Sequence, residues 1–191
     1  MAANAWEGFC VAAVRNVPIL HSERLRLRAP TVDDFQHSLA MWSDPAVTRF
    51  IGGRPQTKEE VWGRLLRYIG HWQALGYGYW VVETIDEGRY IGEVGLSDYR
   101  RDIIPTLDGL PEAGWVLAPS AHGRGLALEA ARAVLAWRDT ELPRGATVCI
   151  IAPEHAASLR IAEKLGFRPF SDSLYHGNRT LVLRRESSLD K

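Results

Sequence analysis

The chain is predicted to be an α/β domain with a mixed, partly parallel sheet, and three features of the sequence predict it. An apolar run at 113–118, Ala-Gly-Trp-Val-Leu-Ala, has the length of a buried strand and is followed by a glycine-rich turn and a helical pattern. A second apolar run at 148–151 is followed by another helical pattern from His155. Near the start, Leu25, Leu27 and Ala29 alternate with Arg24, Arg26 and Arg28, which is the period of a strand with one buried face. Helices that follow strands imply crossover connections, and such sheets bind ligands at the C-terminal ends of their strands.

The elements follow in order. The first strand ends at Pro30, Thr31 is placed to cap a helix with Asp33 and Asp34 in its first turn, and Asp44-Pro45 stops that helix near Ser43. Residues 50–55 form a loop. Thr57 and Glu60 have capping-box spacing, and the helix they open carries Val61, Leu65, Tyr68, Ile69 and Trp72 on one side before Gly76 ends it. Strands at 79–85 and 90–97, joined by the turn at 86–89, read as a hairpin. A loop over 102–112 carries Pro105, Gly109 and Pro111. After the glycine turn, Leu126, Ala130, Val134 and Trp137 recur at helical spacing, with Leu128, Ala131 and Leu135 on a neighbouring face. The second helix spans 155–165, and strands at 167–170 and 179–185 close the chain around a turn at 175–178.

At 191 residues the chain is one domain by size, able to bury roughly 70% of its unfolded surface. No repeat, linker or low-complexity stretch divides it, so 20–191 is expected to be a single domain and 1–19 an N-terminal extension, in which Trp6 and Phe9 suggest packing. The formal net charge is zero, which gives nucleic acid or an anionic membrane no general attraction, so any anion site must be local. Cys10 and Cys149 make no disulfide framework, and Cys149 reads as a buried strand residue. The histidines lack zinc-site spacing, and no metal is expected. Without a signal-peptide pattern or a long apolar span, the protein is read as cytoplasmic, with no membrane partner.

The sequence Pro-Ser-Ala-His-Gly-Arg-Gly-Leu-Ala-Leu-Glu-Ala at 119–130 is the feature most directly tied to chemistry. A helix's first turn leaves backbone N–H groups without partners, and Gly123 and Gly125 let a ligand approach that backbone. The helix dipole adds about 0.3–1 kcal/mol for a nearby anion, whereas each hydrogen bond to a charged group adds about 1.5–3 kcal/mol. Several convergent amides therefore dominate, with Arg124 adding charge at the rim. A diphosphate is the guest such a site fits. No Gly-Lys-Ser/Thr follows the glycines, which argues against a nucleotide P-loop.

Residues 117–130 resemble the acetyl-CoA pyrophosphate loop of the GNAT acetyltransferase superfamily. The sequence from His155 through Ser158, Glu163 and Lys164 to Gly166-Phe167 resembles that superfamily's second signature, an Asn-x-x-Ser/Ala helix ending in Glu-Lys-x-Gly-Phe. Residues 22–30 with Asp33-Asp34, and residues 42–52, resemble the RimJ/RimL-type branch, the ribosomal-protein-alanine N-acetyltransferases. The likeness runs from about Leu20 to Arg185, with its parts in the family's order.

This resemblance implies the GNAT acyl-CoA N-acyltransferase fold, in which the fourth and fifth strands splay and the pantetheine arm lies between them. It implies an N-acetyltransferase that uses acetyl-CoA, with direct attack by a primary amine in a ternary complex. The acceptor would be a peptide N-terminus or a small molecule such as an antibiotic, polyamine or amino acid. A non-catalytic acyl-CoA sensor is the alternative, and the oligomeric state stays open. Trp115, Val116, Leu117 and Ala118 would meet the pantetheine, and Ala121, His122, Gly123, Arg124, Gly125, Leu126 and Ala127 the diphosphate. His155 stands where the signature has Asn, and it can still donate one hydrogen bond.

For proton transfer, Glu93 interrupts an apolar strand and Glu112 stands just before the 113–118 strand, where the RimJ/RimL branch usually carries Glu. Each is a candidate for a catalytic or substrate-orienting role, with Asp98 and His176 as further candidates. An α-amine, with an ordinary pKa of about 7.7–8, needs less help from such a carboxylate than a lysine at about 10.4. Ser158 falls at the family's Ser position and is the candidate proton donor to the CoA sulfur. Many members use a Tyr four residues later, and here that residue is Ala162. The acceptor pocket is expected between residues 42–54 and the turn near Tyr175, with Trp42, Phe50 and Tyr175 lining it.

Overall fold

A computed structural model describes residues 16–187. Trp6, Phe9 and Cys10, and with them most of the expected extension, lie outside the described residues.

An eight-stranded sheet runs in the order β1-β2-β3-β4-β5-β6-β8-β7. The strands are β1 (Leu20–His21), β2 (Leu25–Arg28), β3 (Tyr79–Thr84), β4 (Tyr90–Ser97), β5 (Glu112–Leu117), β6 (Thr147–Ile151), β7 (Arg168–Tyr175) and β8 (Asn178–Arg185). The helices are α1 (Phe35–Trp42), α2 (Pro45–Thr48), α3 (Lys58–Leu75), α4 (Leu126–Glu141) and α5 (Ala156–Lys164). Neighbouring strands are antiparallel except β5 and β6, which α4 connects in parallel. This is the mixed sheet that the helices after two of the strands predict.

Local chemistry sets the helix ends. The Thr57 hydroxyl accepts from the Glu60 N–H at 3.3 Å and the Glu60 carboxylate accepts from the Thr57 N–H at 2.8 Å, so the capping box opens α3. Gly76 closes α3 in a left-handed conformation (φ 77°). Thr31 starts not α1 but a single 3-10 turn, Val32–Asp34. Arg28 donates to both oxygens of Asp34 at 2.8 and 2.6 Å, which draws this acidic residue inward and delays α1 to Phe35. Asp44-Pro45 ends α1 and also begins α2, because the Asp44 carboxylate caps the Ala46 N–H at 2.8 Å with Pro45 in the first turn.

On β5, Ala113, Trp115 and Leu117 point toward a core formed with α4 and α5, where Leu126, Ala130, Val134 and Ala162 are buried. Trp72, Trp80 and Trp137 meet edge to face there, with ring centroids 4.5–5.6 Å apart. Trp80 also donates to the Pro18 carbonyl at 2.8 Å. Val116 points to the opposite face, where Met41, Trp42, Val47 and Val61 form a smaller cluster. Cys149 is buried on β6, and burial pushes its thiol pKa up, as expected of a strand residue. Among the described residues no helix is long and apolar enough to cross a membrane.

Candidate active site

The central feature is the parting of β5 and β6. Their ladder holds one pair in register, Glu112 with Val148, supported by the Val148 N–H donating to the Pro111 carbonyl at 3.0 Å. Beyond Glu112, β5 keeps its ladder to β4 as far as Leu117, so its other edge faces a gap rather than a strand. Unpaired strand edges present N–H and C=O groups to whatever enters.

The far end of β5 leads into the glycine turn. Gly123 and Gly125 have φ of 72° and 76°, left-handed values that suit glycine, and no side chain caps the start of α4. A Cβ on Gly123 would meet nothing within 4 Å, so the surface is open to a ligand. Several contacts pin this turn. The His122 ring donates from Nε2 to the Leu117 carbonyl at 2.8 Å, and Arg24 donates to the Arg124 carbonyl at 3.1 Å. Arg24 also pairs with Glu129, whose carboxylate accepts from the Arg24 N–H and the Ser22 hydroxyl. The turn is preorganised, and its backbone is a credible cradle for an anion.

At the near end of β5 lies a cleft of about 780 Å³. Trp42, Phe50, Glu112, Trp115, Val116, His155, Ser158 and Tyr175 line it, so most of the residues proposed from sequence for the reacting centre and the acceptor pocket share one cavity. The turn at 121–127 forms its own open surface at the other end of the strand. Five residue steps separate Glu112 from Leu117, a span of about 16 Å at ~3.3 Å per residue.

Glu112 is buried, and both its oxygens accept from Arg101, at 2.6 and 2.7 Å. Arg101 also donates to the Tyr175 hydroxyl at 2.9 Å and lies over the Tyr99 ring at 4.3 Å. The Ser158 hydroxyl accepts from Trp115 Nε1 at 3.3 Å. His155 stacks on Phe50 with ring centroids 4.5 Å apart. Burial, and then repulsion from His122, hold the His155 pKa below its ordinary value, so the ring is neutral at pH 7. Ala162 is fully buried.

Glu93 does not line the cleft. Its carboxylate is 2% exposed and accepts from the Ser38 hydroxyl at 2.6 Å, Trp42 Nε1 at 2.8 Å and the Tyr90 hydroxyl at 2.8 Å. Asp98 pairs with Arg100 at 2.9 Å outside the cleft, whereas His176 lines it.

Sequence reasoning passed over Arg64, Arg67, Tyr99 and Arg101, all of which line the cleft. Arg64 and Arg67 stand three apart on α3 and so share a face, which was a usable signal. Arg101 sits in a loop, and nothing in the sequence pairs it with Glu112. Among the described residues no cluster of His, Cys, Asp or Glu could hold a metal ion.

The family model "Acetyltransferase (GNAT) domain" matches residues 24–168. A solved structure from Bordetella pertussis, described as a GnaT-family acetyltransferase, is 36% identical and covers 88% of this chain and 99% of its own, with a TM-score of 0.79. The uncharacterized N-acetyltransferase p20 of Bacillus licheniformis is 28% identical over 78% of this chain and 82% of its own length. A RimL ribosomal L7/L12 alpha-N-protein acetyltransferase in complex with coenzyme A has a TM-score of 0.70 over 88% of this chain and 98% of its own. At 15% identity, that likeness is one of fold.

Proposed function

The chain belongs to the GNAT family of acetyltransferases, and we propose that it acetylates the α-amine of a peptide or small molecule, with the residues around the β5–β6 gap in the roles that follow. Acetyl-CoA is the donor. The observation that carries the reading is the strand that parts from its neighbour after Glu112 and ends in a pinned, uncapped helix N-terminus.

In this reading, the N–H groups around Gly123, Gly125, Leu126 and Ala127 hold the diphosphate. The free edge of β5, from Trp115 to Ala118, takes the pantetheine and brings the thioester beside Ser158. Backbone N–H groups of β5 stabilise negative charge on the carbonyl oxygen as the amine attacks. His155, neutral and braced by Phe50, supplies one hydrogen bond at the mouth of the gap.

Glu112 receives the proton that the amine loses, directly or through a water. A carboxylate has about four lone-pair sites, so Arg101 fixes its position without filling it. Ser158 passes a proton to the departing sulfur and takes one back from solvent, and Trp115 Nε1 keeps the Ser158 oxygen aimed along the gap. With Ala162 buried and lacking a hydroxyl, the tyrosine route used by other members has no counterpart here. Glu93 acts on the acceptor indirectly, by fixing Trp42.

An α-amine fits this machinery because a single carboxylate suffices for a group already partly neutral at pH 7. The likeness of residues 22–30 and 42–52 to the RimJ/RimL-type branch favours the same acceptor. The test is release of free CoA from acetyl-CoA across peptide N-termini and small amines. Turnover on at least one α-amine supports the reading. Tight CoA binding with no turnover on any amine would replace it with an acyl-CoA sensor.

A further inference from the structure

The charge in the cleft is lopsided. Arg49, Arg64, Arg67, Arg101 and Arg179 line it against Glu112 and Glu154. Glu112 answers Arg101, and Asp172 answers Arg179 at the surface. Arg64 and Arg67 form no ion pair with a carboxylate among the described residues.

Arg64 is held in place by neutral groups. Its Nε donates to the Gln56 side-chain oxygen at 3.1 Å, one Nη donates to the Tyr68 hydroxyl at 3.3 Å, and the guanidinium lies 3.7 Å over the Trp42 ring. A guanidinium has five N–H donors, so several remain for a guest. Glu93 stabilises this arrangement from behind the indole. Its oxygens are engaged by Ser38, Tyr90 and Trp42, so it fixes the platform under Arg64 without pairing with Arg64 itself. Arg67, one helical turn on, lies over the Tyr99 ring at 5.3 Å.

Arg64 is half-buried and Arg67 exposed, and the field of Glu93 favours the Arg64 charge although no carboxylate bonds to either guanidinium, so N–H donors of both remain for an anionic guest. Arg67 and Tyr99 stand at the Glu112 end of β5, away from the glycine turn that serves the diphosphate. We propose that Arg64 and Arg67 form an anion subsite for the acceptor, so that the amine acetylated here also carries a carboxylate. Guanidinium N–H groups match the two oxygens of a carboxylate, and aromatic stacking on Trp42 and Tyr99 sets their direction. The inference rests on the acetyltransferase reading above and narrows its acceptor. It disfavours polyamines, which would bring more positive charge into the cleft.

The test compares kcat/KM within matched pairs of acceptors. One arm sets free amino acids against their carboxamides, and the other sets tripeptide amides that begin with Glu against those that begin with Gln. The arm that responds shows where the carboxylate sits. We expect the acid to be favoured by about tenfold or more in one arm, mainly through KM. In Arg64→Gln and Arg67→Gln the acid-to-neutral ratio should fall toward one. The ratio is taken within each variant, so partial misfolding cancels. No preference in either arm, or a preference that survives in the double variant, overturns the proposal. Faster acetylation of neutral or cationic amines such as ethanolamine or spermine also overturns it, while leaving the acetyltransferase reading in place. Binding of CoA with no amine of any charge acetylated removes both.

Discussion

Replacing Glu93 with Gln separates a residue that holds the acceptor wall from one that performs chemistry. The carboxylate accepts three hydrogen bonds, two at Oε1 from Ser38 and Tyr90 and one at Oε2 from Trp42. A glutamine whose oxygen takes the Oε1 position points its NH₂ at the Trp42 N–H, donor against donor. Leaving one buried donor unsatisfied costs about 1–3 kcal/mol, and the other two bonds lose the strength that a charged acceptor gave them. The sum is about 2–4 kcal/mol, which in a chain of this size lowers Tm by roughly 5–15 °C at about 2–4 °C per kcal/mol. Thermal unfolding followed by circular dichroism measures the shift. Acceptor KM should rise more than acetyl-CoA KM, because freeing the Trp42 indole loosens Arg64 above it. An unchanged Tm together with a large loss of kcat and no change in KM would show Glu93 acting on the reacting atoms and refute this reasoning.

Other consequences follow from the same contacts. Gly125→Glu should weaken CoA binding by about a hundredfold or more, since the side chain obstructs the amides that would hold a diphosphate and adds like charge. Calorimetry should read that loss in a folded protein, because a Cβ there meets only Arg24 at 3.8 Å and the left-handed φ of 76° adds a strain of about 1–2 kcal/mol. Glu112→Gln should lower kcat by about a hundredfold with little change in the KM for acetyl-CoA. An unchanged kcat would move the proton acceptor elsewhere. Ser158→Ala should cost about tenfold in kcat at neutral pH and less above the thiol's ordinary value of about 8.5, where the leaving sulfur needs no proton. Because the fold disfavours charge on His155, the unfolded chain binds that proton more readily. Stability should therefore fall as pH drops below the ordinary His value of about 6.5, until the folded state also takes up the proton. His155→Asn should flatten this dependence in denaturant titrations at successive pH values, and an identical slope in the variant would discount the buried ring.

Much of the scaffold was legible because it rests on local chemistry. Thr57, Glu60 and Gly76 mark the ends of α3, and the spacing of Leu126, Ala130 and Val134 gives the buried stripe of α4. Where long-range partners decide, the sequence was silent. Asp34 reads as an acidic residue in the first turn of a helix, yet Arg28 turns it inward and leaves only a 3-10 turn there. β7 runs to Tyr175, well past residue 170, because it pairs with β8 over its whole length although Ser171, Asp172 and Ser173 show no apolar alternation. The site divided in the same way. Glycines beside a helical stripe point to an anion-binding turn, and Glu112 sits at a strand start that reaches the cleft. Glu93 looked equivalent in sequence, but its register opposite Val116 puts it beneath Trp42. Nothing in the chain's order shows that Arg101 closes on Glu112 or that Arg64 lies flat on an indole.

Catalysis depends most on how the turn after β5 meets coenzyme A, and a crystal structure of the complex measures that directly. The prediction is a diphosphate within hydrogen-bond distance of the N–H groups around Gly123, Gly125 and Leu126, with the pantetheine along the β5 edge and the sulfur beside Ser158. Coenzyme A bound elsewhere, or a β5–β6 gap that stays free of the pantetheine, would contradict it.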